Sequence, residues 1–499
     1  MIKKILVANR GEIAVRIINA CKEMSIPSVA VFSTVDRNAL HVQMADEAYC
    51  IGEPPPLESY LNIDKIIQTA KESGADAIHP GYGFLAENPD FCARCEKDGI
   101  IFIGPNSKAM RLVGDKVASR QTMTQAKIPI IPGMMKSGKE VKGFKEAAEQ
   151  IGYPVMIKAS AGGGGKGMRI VRSSEELEKG LEAGMREAKS AFGDESVYLE
   201  KYIENPRHVE FQVLADNYGN IVHLCERECS IQRRHQKIVE ETPSCAVDEK
   251  LRERMGEVAK QVIKVSGYNN AGTVEFLLDQ NKNFYFLEVN ARLQVEHPIT
   301  ELVTGVDLVK QQINIASGEK LSLKQEDIRQ RGHAIECRIY AEDPENNFFP
   351  SSGKILFMKE PSGPGVRHDC GIYSGFTVSV YYDPILSKVV TWGETREDAR
   401  KKMLLALSHY IIMGIKTPIE FLRSIMNHPE FIAGNTQTNF IEKNMTDWRE
   451  ETRGKRFLNE ALVAMSILSQ AKRKSGITNV KESMPNPWLT VGKWSLGGN

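Results

Sequence analysis

The first hundred residues alternate short apolar runs with amphipathic stretches. This pattern predicts strands and helices in turn, with strands at 5–8, 28–32 and 75–78 and helices at 12–24 and about 61–71. Such alternation is typical of a doubly wound α/β domain. The first strand-to-helix turn, Asn9 to Glu12, lacks the glycines of a dinucleotide-binding turn, which argues against a nicotinamide site.

Beyond residue 114 the apolar pattern changes to longer strands joined by polar turns. Four strands and a helix are predicted first, at 153–157, 168–171, 272–279, 284–287 and 309–315. The chain then becomes strand-rich from about residue 332, with strands at 335–340, 378–382 and 388–392 and a helix at 396–410. Its charged last fifty residues contain one amphipathic stretch, 457–471. A chain of 499 residues exceeds one normal hydrophobic core and suggests about three domains.

The segment 288–298 (EVNARLQVEHP) carries the densest set of reactive side chains. Alternate residues of a strand lie on one face, so Glu288 and Asn290 share a face if the strand continues that far. Three more residues can follow them into one cleft, namely Arg292, Gln294 and Glu296. Carboxylates bind Mg²⁺ beside phosphates, and a guanidinium holds a planar oxyanion. The pattern predicts a metal and anion site with Glu296 free to act as a base. For an isolated run, a salt-bridged exposed strand is the favoured alternative.

Four consecutive glycines, 162–165, lie between the predicted strands 153–157 and 168–171. Glycine lets backbone N–H groups approach a phosphate chain closely, and Lys158 and Lys166 add positive charge. No Gly-Lys-Ser/Thr opens a helix here, so the loop is not a Walker A loop. The run predicts a phosphate-binding loop, with a flexible hairpin as the alternative.

A second carboxylate, Glu275, lies on the predicted strand 272–279, which ends before a polar turn at 280–283. If that turn joins two antiparallel strands, Glu275 lies near Glu288. Magnesium–nucleotide sites commonly use paired acidic ligands on rigid strands. Basic residues, a glycine loop and paired acids, in this order, predict a nucleotide-dependent ligase.

Two longer segments resemble a known family. The segments 79–88 (HPGYGFLAEN) and 228–243 (ECSIQRRHQKIVEETP) are similar to motifs of biotin carboxylases of the ATP-grasp superfamily. The resemblance runs from about residue 3 to about residue 446. It implies ATP, bicarbonate and biotin as substrates and Mg²⁺ or Mn²⁺ as cofactor.

The resemblance also implies a fold of mixed α/β and α+β class. We expect a doubly wound N-terminal domain at 1–114, an ATP-grasp domain at 115–331 with a mobile lid at roughly 126–202, and a strand-rich C-terminal domain at 332–446. Residues 447–499 are an extension. A similar Pro-Trp segment follows the carboxylase part of multidomain acyl-CoA carboxylases, so Pro487-Trp488 suggests the hypothesis of a partner-docking tail.

The resemblance carries site residues over position by position. The ATP-contacting positions match Lys116, Lys158, Gly163, Gly164, Gly165, Lys166, Glu200, Lys201, Ile203, His208, Gln232, His235 and Leu277. The metal ligands match Glu275, Glu288 and Asn290. The bicarbonate pocket matches Lys237, Arg292, Gln294, the backbone of Val295, and Glu296. The biotin pocket matches Tyr82, Gly83 and Arg338. The catalytic set implied is Glu296, Arg292, Arg338 and Lys237.

The implied mechanism begins when Glu296 removes the bicarbonate proton and the oxyanion attacks the γ-phosphorus of ATP to give carboxyphosphate. Lysines and Mg²⁺ offset charge on the transferring phosphoryl group. Carboxyphosphate then breaks to CO₂ and phosphate, phosphate takes the biotin N1 proton, and Arg338 stabilises the ureido oxygen. Water would destroy the intermediate, so the glycine run is expected to belong to a closing lid.

Several residues near these motifs have ordinary alternatives. Taken alone, His208 and His235 are more often packed or exposed histidines than ligands. Glu240 and Glu241 are expected to border the site, and no chemistry is assigned to them. Asp383 either helps to orient Arg338 or caps a turn before proline.

The sequence also predicts partners. No Ala-Met-Lys-Met sequence, the usual context of a biotinylated lysine, occurs in the chain, and its length leaves no room for a carboxyltransferase domain. We therefore expect a separate biotin carboxyl carrier protein and a separate carboxyltransferase subunit, in an acetyl-CoA, propionyl-CoA-type or pyruvate carboxylase. The family implies a homodimer, because Arg16 and Glu23 match interface positions, although Asn19 departs from the bacterial arginine.

Charge and cysteine content narrow the class of protein. The 65 basic and 64 acidic side chains nearly cancel, so no global field points to nucleic acid or a membrane. No apolar run approaches the ~20 residues of a membrane span. Nine dispersed cysteines argue against a secreted disulfide framework, and a cytoplasmic protein is expected. The pair Cys92 and Cys95 has no partner pair and predicts no zinc site.

Two rival functions share parts of the pattern. A carbamoyl-phosphate synthase also activates bicarbonate, but it uses ammonia and a second phosphorylation, and the segments 79–88 and 228–243 speak against it. A silent nucleotide-binding scaffold would have lost a metal or bicarbonate ligand. Here all of these are present: Glu275, Glu288, Arg292, Glu296 and Arg338.

Overall fold

The structure is a computed structural model that describes residues 2–134, 141–159, 168–234, 236–449 and 463. The chain up to Trp448 packs as one unit. Four predicted features lie outside the described residues: the loop Gly163 to Lys166, His235, the predicted helix at 457–471 apart from Val463, which is helical, and Pro487-Trp488.

The N-terminal region is a five-stranded parallel sheet in the order β3-β2-β1-β4-β5. Its strands are β1 Ile5–Val7, β2 Ser28–Ser33, β3 Glu47–Gly52, β4 Ala77–His79 and β5 Ile101–Phe102. Its helices are α1 Gly11–Glu23, α2 Leu40–Met44, α3 Ile63–Ser73, α4 Pro89–Lys97 and α5 Ser107–Gly114. Strands β1 and β2 are buried along their whole length, which explains why they are continuous apolar runs. The predicted doubly wound α/β fold is confirmed.

A small three-stranded unit follows the helix α6 Lys116–Gln125. It consists of α7 Val141–Ile151, β6 Val155–Ala159, β7 Arg169–Val171, α8 Ser174–Phe192 and β8 Val197–Lys201, with the sheet order β7-β6-β8. Strands β6 and β7 pair antiparallel, as the two apolar runs around the glycines predicted. The unit has its own apolar core, which includes Phe144 and Leu181. It coincides with part of the predicted lid range, whose motion stays a prediction.

One eight-stranded antiparallel sheet connects the middle of the chain with the C-terminal region, in the order β13-β12-β9-β10-β11-β14-β21-β19. The first five strands are β9 Arg207–Ala215, β10 Ile221–Arg233, β11 Gln236–Thr242, β12 Asn270–Leu278 and β13 Phe284–Asn290. Helix α9 Glu249–Val265 lies between β11 and β12 in the chain, and helices α10 His297–Thr304 and α11 Leu308–Ala316 follow β13. Strand β11 pairs directly with β14, so hydrogen bonding continues across the predicted boundary at 331.

The C-terminal region completes this sheet and adds short hairpins. Its strands are β14 His333–Tyr340, β15 Glu342–Asp343, β16 Phe349–Pro350, β17 Gly353–Lys354, β18 Phe357–Lys359, β19 Val366–Cys370, β20 Thr377–Val378, β21 Ile385–Gly393 and β22 Ile411–Met413. Its helices are α12 Arg396–His409, α13 Ile419–Asn427, α14 Pro429–Ile432 and α15 Phe440–Asn444. The predicted strand-rich character is confirmed. Within the described part of the chain, no helix combines the length and apolarity needed to cross a bilayer.

Candidate active site

Charged side chains form a row across the eight-stranded sheet. Glu288 on β13 pairs in register with Glu275 on β12, and Glu275 pairs with Glu210 on β9. Glu210 lies opposite Arg227 on β10. The predicted proximity of Glu275 and Glu288 is therefore confirmed, because the turn after β12 joins two antiparallel strands as the alternating pattern indicated.

Lys237, on the next strand β11, contacts three carboxylates of the site. Its Nζ donates to Glu210 at 2.6 Å, to Glu296 at 2.7 Å and to Glu275 at 2.8 Å. Strands β9 and β10 separate β11 from β12, and neighbouring strands lie ~4.8 Å apart, so this contact requires the sheet to curve around the site. The three carboxylates raise the pKa of Lys237 well above its usual value, although burial opposes the charge.

Glu296 is fully buried and held by two cations. Lys237 contacts one carboxylate oxygen, and Arg338 Nη2 donates to the other at 2.9 Å. Burial opposes ionisation, but Lys237 and Arg338 outweigh it and hold the pKa of Glu296 well below its usual value. Glu296 is therefore a carboxylate in this state, with both oxygens occupied by cations.

Arg338 has a second carboxylate partner. Its Nε donates to Glu240 Oε1 at 2.5 Å, and Glu240 is completely buried. Burial and the nearby Glu296 raise the pKa of Glu240 to about 7, against the pull of Arg338. Asp383 instead accepts a hydrogen bond from the Ile385 backbone N–H at 2.9 Å, so of its two expected roles the structure shows the turn cap.

Three predicted metal ligands converge at the end of the β12–β13 hairpin. Asn290 Nδ2 donates to Glu275 Oε1 at 2.8 Å, and His208 Nε2 lies 2.9 Å from Glu275 Oε2. Burial opposes ionisation of Glu275, but Lys237 and His208 hold its pKa well below the usual value. Glu288 faces the open cleft, where desolvation by the surrounding walls, together with the neighbouring Glu275, raises its pKa. A divalent cation between the two carboxylates would relieve that repulsion, so the donor set fits Mg²⁺.

A cavity of about 370 Å³ lies beside this hairpin, within the range of ligand pockets. Five predicted residues line it: Lys116, Lys158, Glu200, Glu288 and Asn290. Glu200 fixes two cations at its wall, since it accepts from Lys158 at 2.5 Å and from Arg120 at 2.6 Å. Ile130, Ile131 and Phe286 give the cavity an apolar side. Such a pocket can hold a base on its apolar wall and phosphates near the lysines.

The loop after β13 brings Arg292 to the same cleft. Its Nη1 donates to Gln294 Oε1 at 2.6 Å, its Nη2 to Asn290 Oδ1 at 3.1 Å, and its Nε to Glu87 Oε2 at 3.1 Å. Glu87 also accepts from the Ala291 backbone N–H at 2.9 Å. The prediction that Arg292, Gln294 and Glu296 follow the strand into one cleft is thus confirmed.

Three other predicted residues, Tyr82, Gly83 and Lys201, do not join this hydrogen-bonded network directly. Tyr82 accepts a hydrogen bond from Asn9 at its backbone oxygen, and its hydroxyl is buried without a partner among the described residues. Gly83 has a φ of +68°, and no hydrogen bond links it to Arg338. Lys201 donates to the backbone oxygens of residues 152 and 153 at 2.9 Å. Gln232 does join, through His208 Nδ1 at 2.7 Å.

Sequence reasoning missed three charged residues of the site: Glu210 and Arg227 anchor the row, and Glu87 holds Arg292. Glu240 was expected to border the site, and the structure adds its contact with Arg338. Glu210 alternates with His208 along one strand, which was the available signal. Glu87 lies inside the segment 79–88, but nothing in its spacing connects it with Arg292.

Models of known families match most of the chain. The biotin carboxylase N-terminal domain matches residues 1–110, and the biotin carboxylase C-terminal domain matches residues 336–443. Between them, residues 115–324 match the ATP-binding domain of the carbamoyl-phosphate synthase L chain. The ATP-binding model thus covers the nucleotide-side residues, and the biotin carboxylase models cover both flanks.

Known relatives are similar over most of their own length. Biotin carboxylase 1 of Bacillus subtilis is 54% identical over 443 residues, covering 89% of this chain and 98% of the relative. A pyruvate carboxylase subunit of Methanothermobacter thermautotrophicus is also 54% identical, covering 89% and 90%. The alpha chain of the mitochondrial methylcrotonoyl-CoA carboxylase of Dictyostelium discoideum is 47% identical over 100% of this chain and 71% of its own.

A solved structure matches the fold closely. It is the biotin carboxylase domain dimer of the Hydrogenobacter thermophilus 2-oxoglutarate carboxylase, in complex with MgADP, ADP and bicarbonate. It is 50% identical with a TM-score of 0.85, covering 90% of this chain and 100% of that one.

A cavity walled by acids and lysines, within a region that matches an ATP-binding domain model, is typical of an ATP-grasp ligase. The matched family models and the similar relatives show to which family of that superfamily the chain belongs. The chain belongs to the biotin carboxylase family.

Proposed function

We propose that this chain carboxylates biotin with ATP and bicarbonate, the first half-reaction of a biotin-dependent carboxylase. The observation that carries the proposal is the position of Glu296. It is a buried carboxylate between Lys237 and Arg338, and Lys237 links it to the acid pair that faces the nucleotide cavity. A base for bicarbonate and a site for phosphoryl transfer thus share one ammonium group.

On the nucleotide side, we assign the phosphates to Lys116, Lys158 and the loop Gly163 to Lys166, and the divalent ion to Glu275, Glu288 and Asn290. When bound, Mg²⁺ offsets charge on the transferring phosphoryl group. The ion pair of Lys158 with Glu200 holds that ammonium at the cavity wall. Fixed donors of this kind stabilise developing charge without reorganising during the reaction.

On the bicarbonate side, we assign binding to Arg292, Gln294, the Val295 backbone and Lys237. Glu296 is a weak base while two cations contact it, because ion pairing lowers its pKa. Bicarbonate competes for Lys237, and the biotin ureido oxygen competes for Arg338. Each competition removes a cation from Glu296 and raises its basicity, so proton removal is favoured once both substrates are bound.

The direct test is ATP hydrolysis by the purified chain with Mg²⁺ and bicarbonate, with and without free biotin. We expect turnover that requires bicarbonate and rises with biotin. Turnover indifferent to biotin and stimulated by ammonium would favour the carbamoyl-phosphate reaction, consistent with the family model of the ATP-binding region. No turnover under any condition would contradict both.

A Glu288→Gln variant tests the metal assignment. Removing one of two paired carboxylates weakens Mg²⁺ binding, and we expect the free Mg²⁺ for half-maximal ATP turnover to rise about tenfold or more. The matched control is Glu253→Gln on the exposed side of α9. A lower rate at an unchanged Mg²⁺ requirement would remove Glu288 from the metal site.

We further propose that biotin reaches Arg338 on a separate carrier protein and that a separate carboxyltransferase receives the carboxyl group, since the relatives include named carboxylase subunits. We also propose a homodimer, which the solved relative forms. Within this chain, Arg16 pairs with Glu301 and Asp307, and Glu23 pairs with Lys310.

The extension is tested by truncation. Trp448 stacks edge-on against Phe421 and donates to Ser424 at 2.8 Å, so the chain should be cut after Trp448 to spare this packing. If the removed residues, 449–499, are a docking tail, the truncated protein no longer captures the partner subunits. Its turnover with free biotin is unchanged. Unchanged capture would contradict the docking hypothesis.

A further inference from the structure

Lys388 on β21 is a buried cation without a part in the mechanism above. Its side chain is fully buried and lies 3.2 Å from Glu12 on α1 and 3.8 Å from Asp369 on β19. It pairs in register with Arg338 on one side and with Asp369 on the other. Two neighbouring strands thus present adjacent cations on the face that carries the active site.

The shortest contact of Lys388 is with the backbone of the loop between β13 and α10, which carries residues assigned to bicarbonate. Its Nζ donates to the Val295 carbonyl oxygen at 2.8 Å, which is shorter than its distance to either carboxylate. The preceding carbonyl, that of Gln294, accepts a hydrogen bond from the buried His297 Nδ1 at 2.7 Å. Two consecutive carbonyls between β13 and α10 are therefore held by buried side chains.

This contact fixes a peptide plane that matters for the site. The Val295 carbonyl and the Glu296 N–H belong to one planar group, so holding the oxygen sets the direction in which Glu296 leaves the loop. Arg338 and Lys237 hold the Glu296 carboxylate from the other end. The Val295 N–H lies in the preceding peptide plane, whose Gln294 carbonyl oxygen is held by His297 Nδ1.

We infer that Lys388 is a positioning residue for the bicarbonate pocket, which acts by holding the Val295 carbonyl. The inference rests on the proposed function, because it concerns the pocket assigned to bicarbonate there. It differs from a purely structural role, in which Lys388 would only neutralise the buried carboxylates of Glu12 and Asp369. A charged group that is buried without its partner destabilises a fold, so both roles predict a lower folding stability when Lys388 is replaced.

The test compares the full-length protein with three variants, Lys388→Met, Glu12→Gln and the double variant. Steady-state ATP hydrolysis with free biotin is measured against bicarbonate and against ATP, and each thermal midpoint is recorded. Loss of one charge-assisted hydrogen bond should lower kcat/KM for bicarbonate about tenfold or more in Lys388→Met, and leave KM for ATP within about twofold. Glu12→Gln keeps the bond to Val295 and should retain kcat/KM for bicarbonate within about twofold.

The double variant separates the two roles, because it removes the Glu12 charge together with the Lys388 charge. Its thermal midpoint should recover towards that of Glu12→Gln while the bicarbonate defect persists. Recovery of kcat/KM for bicarbonate, or an equal defect towards ATP, would overturn the inference. If Lys388→Met does not fold, kcat/KM for bicarbonate in the double variant is compared with that of Glu12→Gln instead. Absence of bicarbonate-dependent turnover in the unaltered protein would overturn the proposed function and this inference together.

Discussion

A Lys237→Met variant is expected to lose about 3–5 kcal/mol of folding stability and all measurable bicarbonate-dependent turnover. The change leaves Glu210, Glu275 and Glu296 facing one another in a buried site without their shared ammonium. Methionine fills a similar volume, so the loss reflects charge rather than a cavity. Urea denaturation and steady-state ATP hydrolysis measure the two effects.

The pH dependence of this loss has a defined sign. In the unaltered protein, Lys237 helps to hold the pKa of Glu275 and Glu296 below the usual value, which contributes stability that is lost as the pH falls through those lowered values. Without Lys237, burial dominates and raises the pKa of the carboxyls in the folded state. Stability is then greatest below the unfolded pKa of about 4.5 and is lost as the pH rises through the raised values. The deficit in unfolding free energy should therefore already be present near pH 5 and should grow towards pH 8.

The matched control is Lys282→Met, which breaks an exposed pair with Asp248. Exposed pairs contribute about 0–1 kcal/mol, so this variant should remain close to the unaltered protein at every pH. A deficit in Lys237→Met that is the same at pH 5 and pH 8 would show that Lys237 does not neutralise the three carboxylates.

A Glu296→Gln variant is expected to lower biotin-stimulated ATP turnover by about 10²–10⁴-fold, the usual contribution of a general base. The amide keeps the shape of the side chain, and Lys237 retains two carboxylate partners, so the variant should fold. ATP binding should persist because the residues that line the cavity are unchanged. Rapid-quench measurement of a single turnover gives the rate of the chemical step, and a separate binding measurement gives the affinity for ATP. A slow chemical step at unchanged ATP affinity indicates that the general base is lost.

Glu226→Gln is the control for this substitution. Glu226 is as deeply buried as Glu296 and is paired with Arg252, but it contacts none of the proposed substrate-binding residues. We expect turnover to fall less than about threefold in this variant, since only packing and one ion pair change. A Glu296→Gln rate within tenfold of the unaltered protein would assign the base to another group.

The parts of the site that the sequence predicted are local ones. The strand period of two and the polar turn at 280–283 were enough to bring Glu275 and Glu288 together. Arg338 was assigned only by family resemblance, because it and its partner Glu240 are 98 residues apart. No period or spacing reports a contact of that kind.

The residues that were missed share one physical property. Lys388 and Arg227 are charges within buried strands, and their partners lie on another strand or on a helix. Their role depends on how a curved sheet brings strands together, and curvature leaves no mark in the local pattern. The fold class was predictable because it depends on patterns within each segment.

The eight-stranded sheet extends without a break from the acid pair on β13 to the strands that carry Arg338 and Lys388. A hydrogen-bonded sheet of this size behaves as a rigid platform, whereas the three-stranded unit over the cavity has a core of its own. If the proposed function holds, the sites of phosphoryl transfer and of carboxyl transfer therefore lie on one rigid sheet. Substitutions in the three-stranded unit should therefore change the dissociation rate of the nucleotide. They should not change the distance between the two sites, because the sheet fixes it.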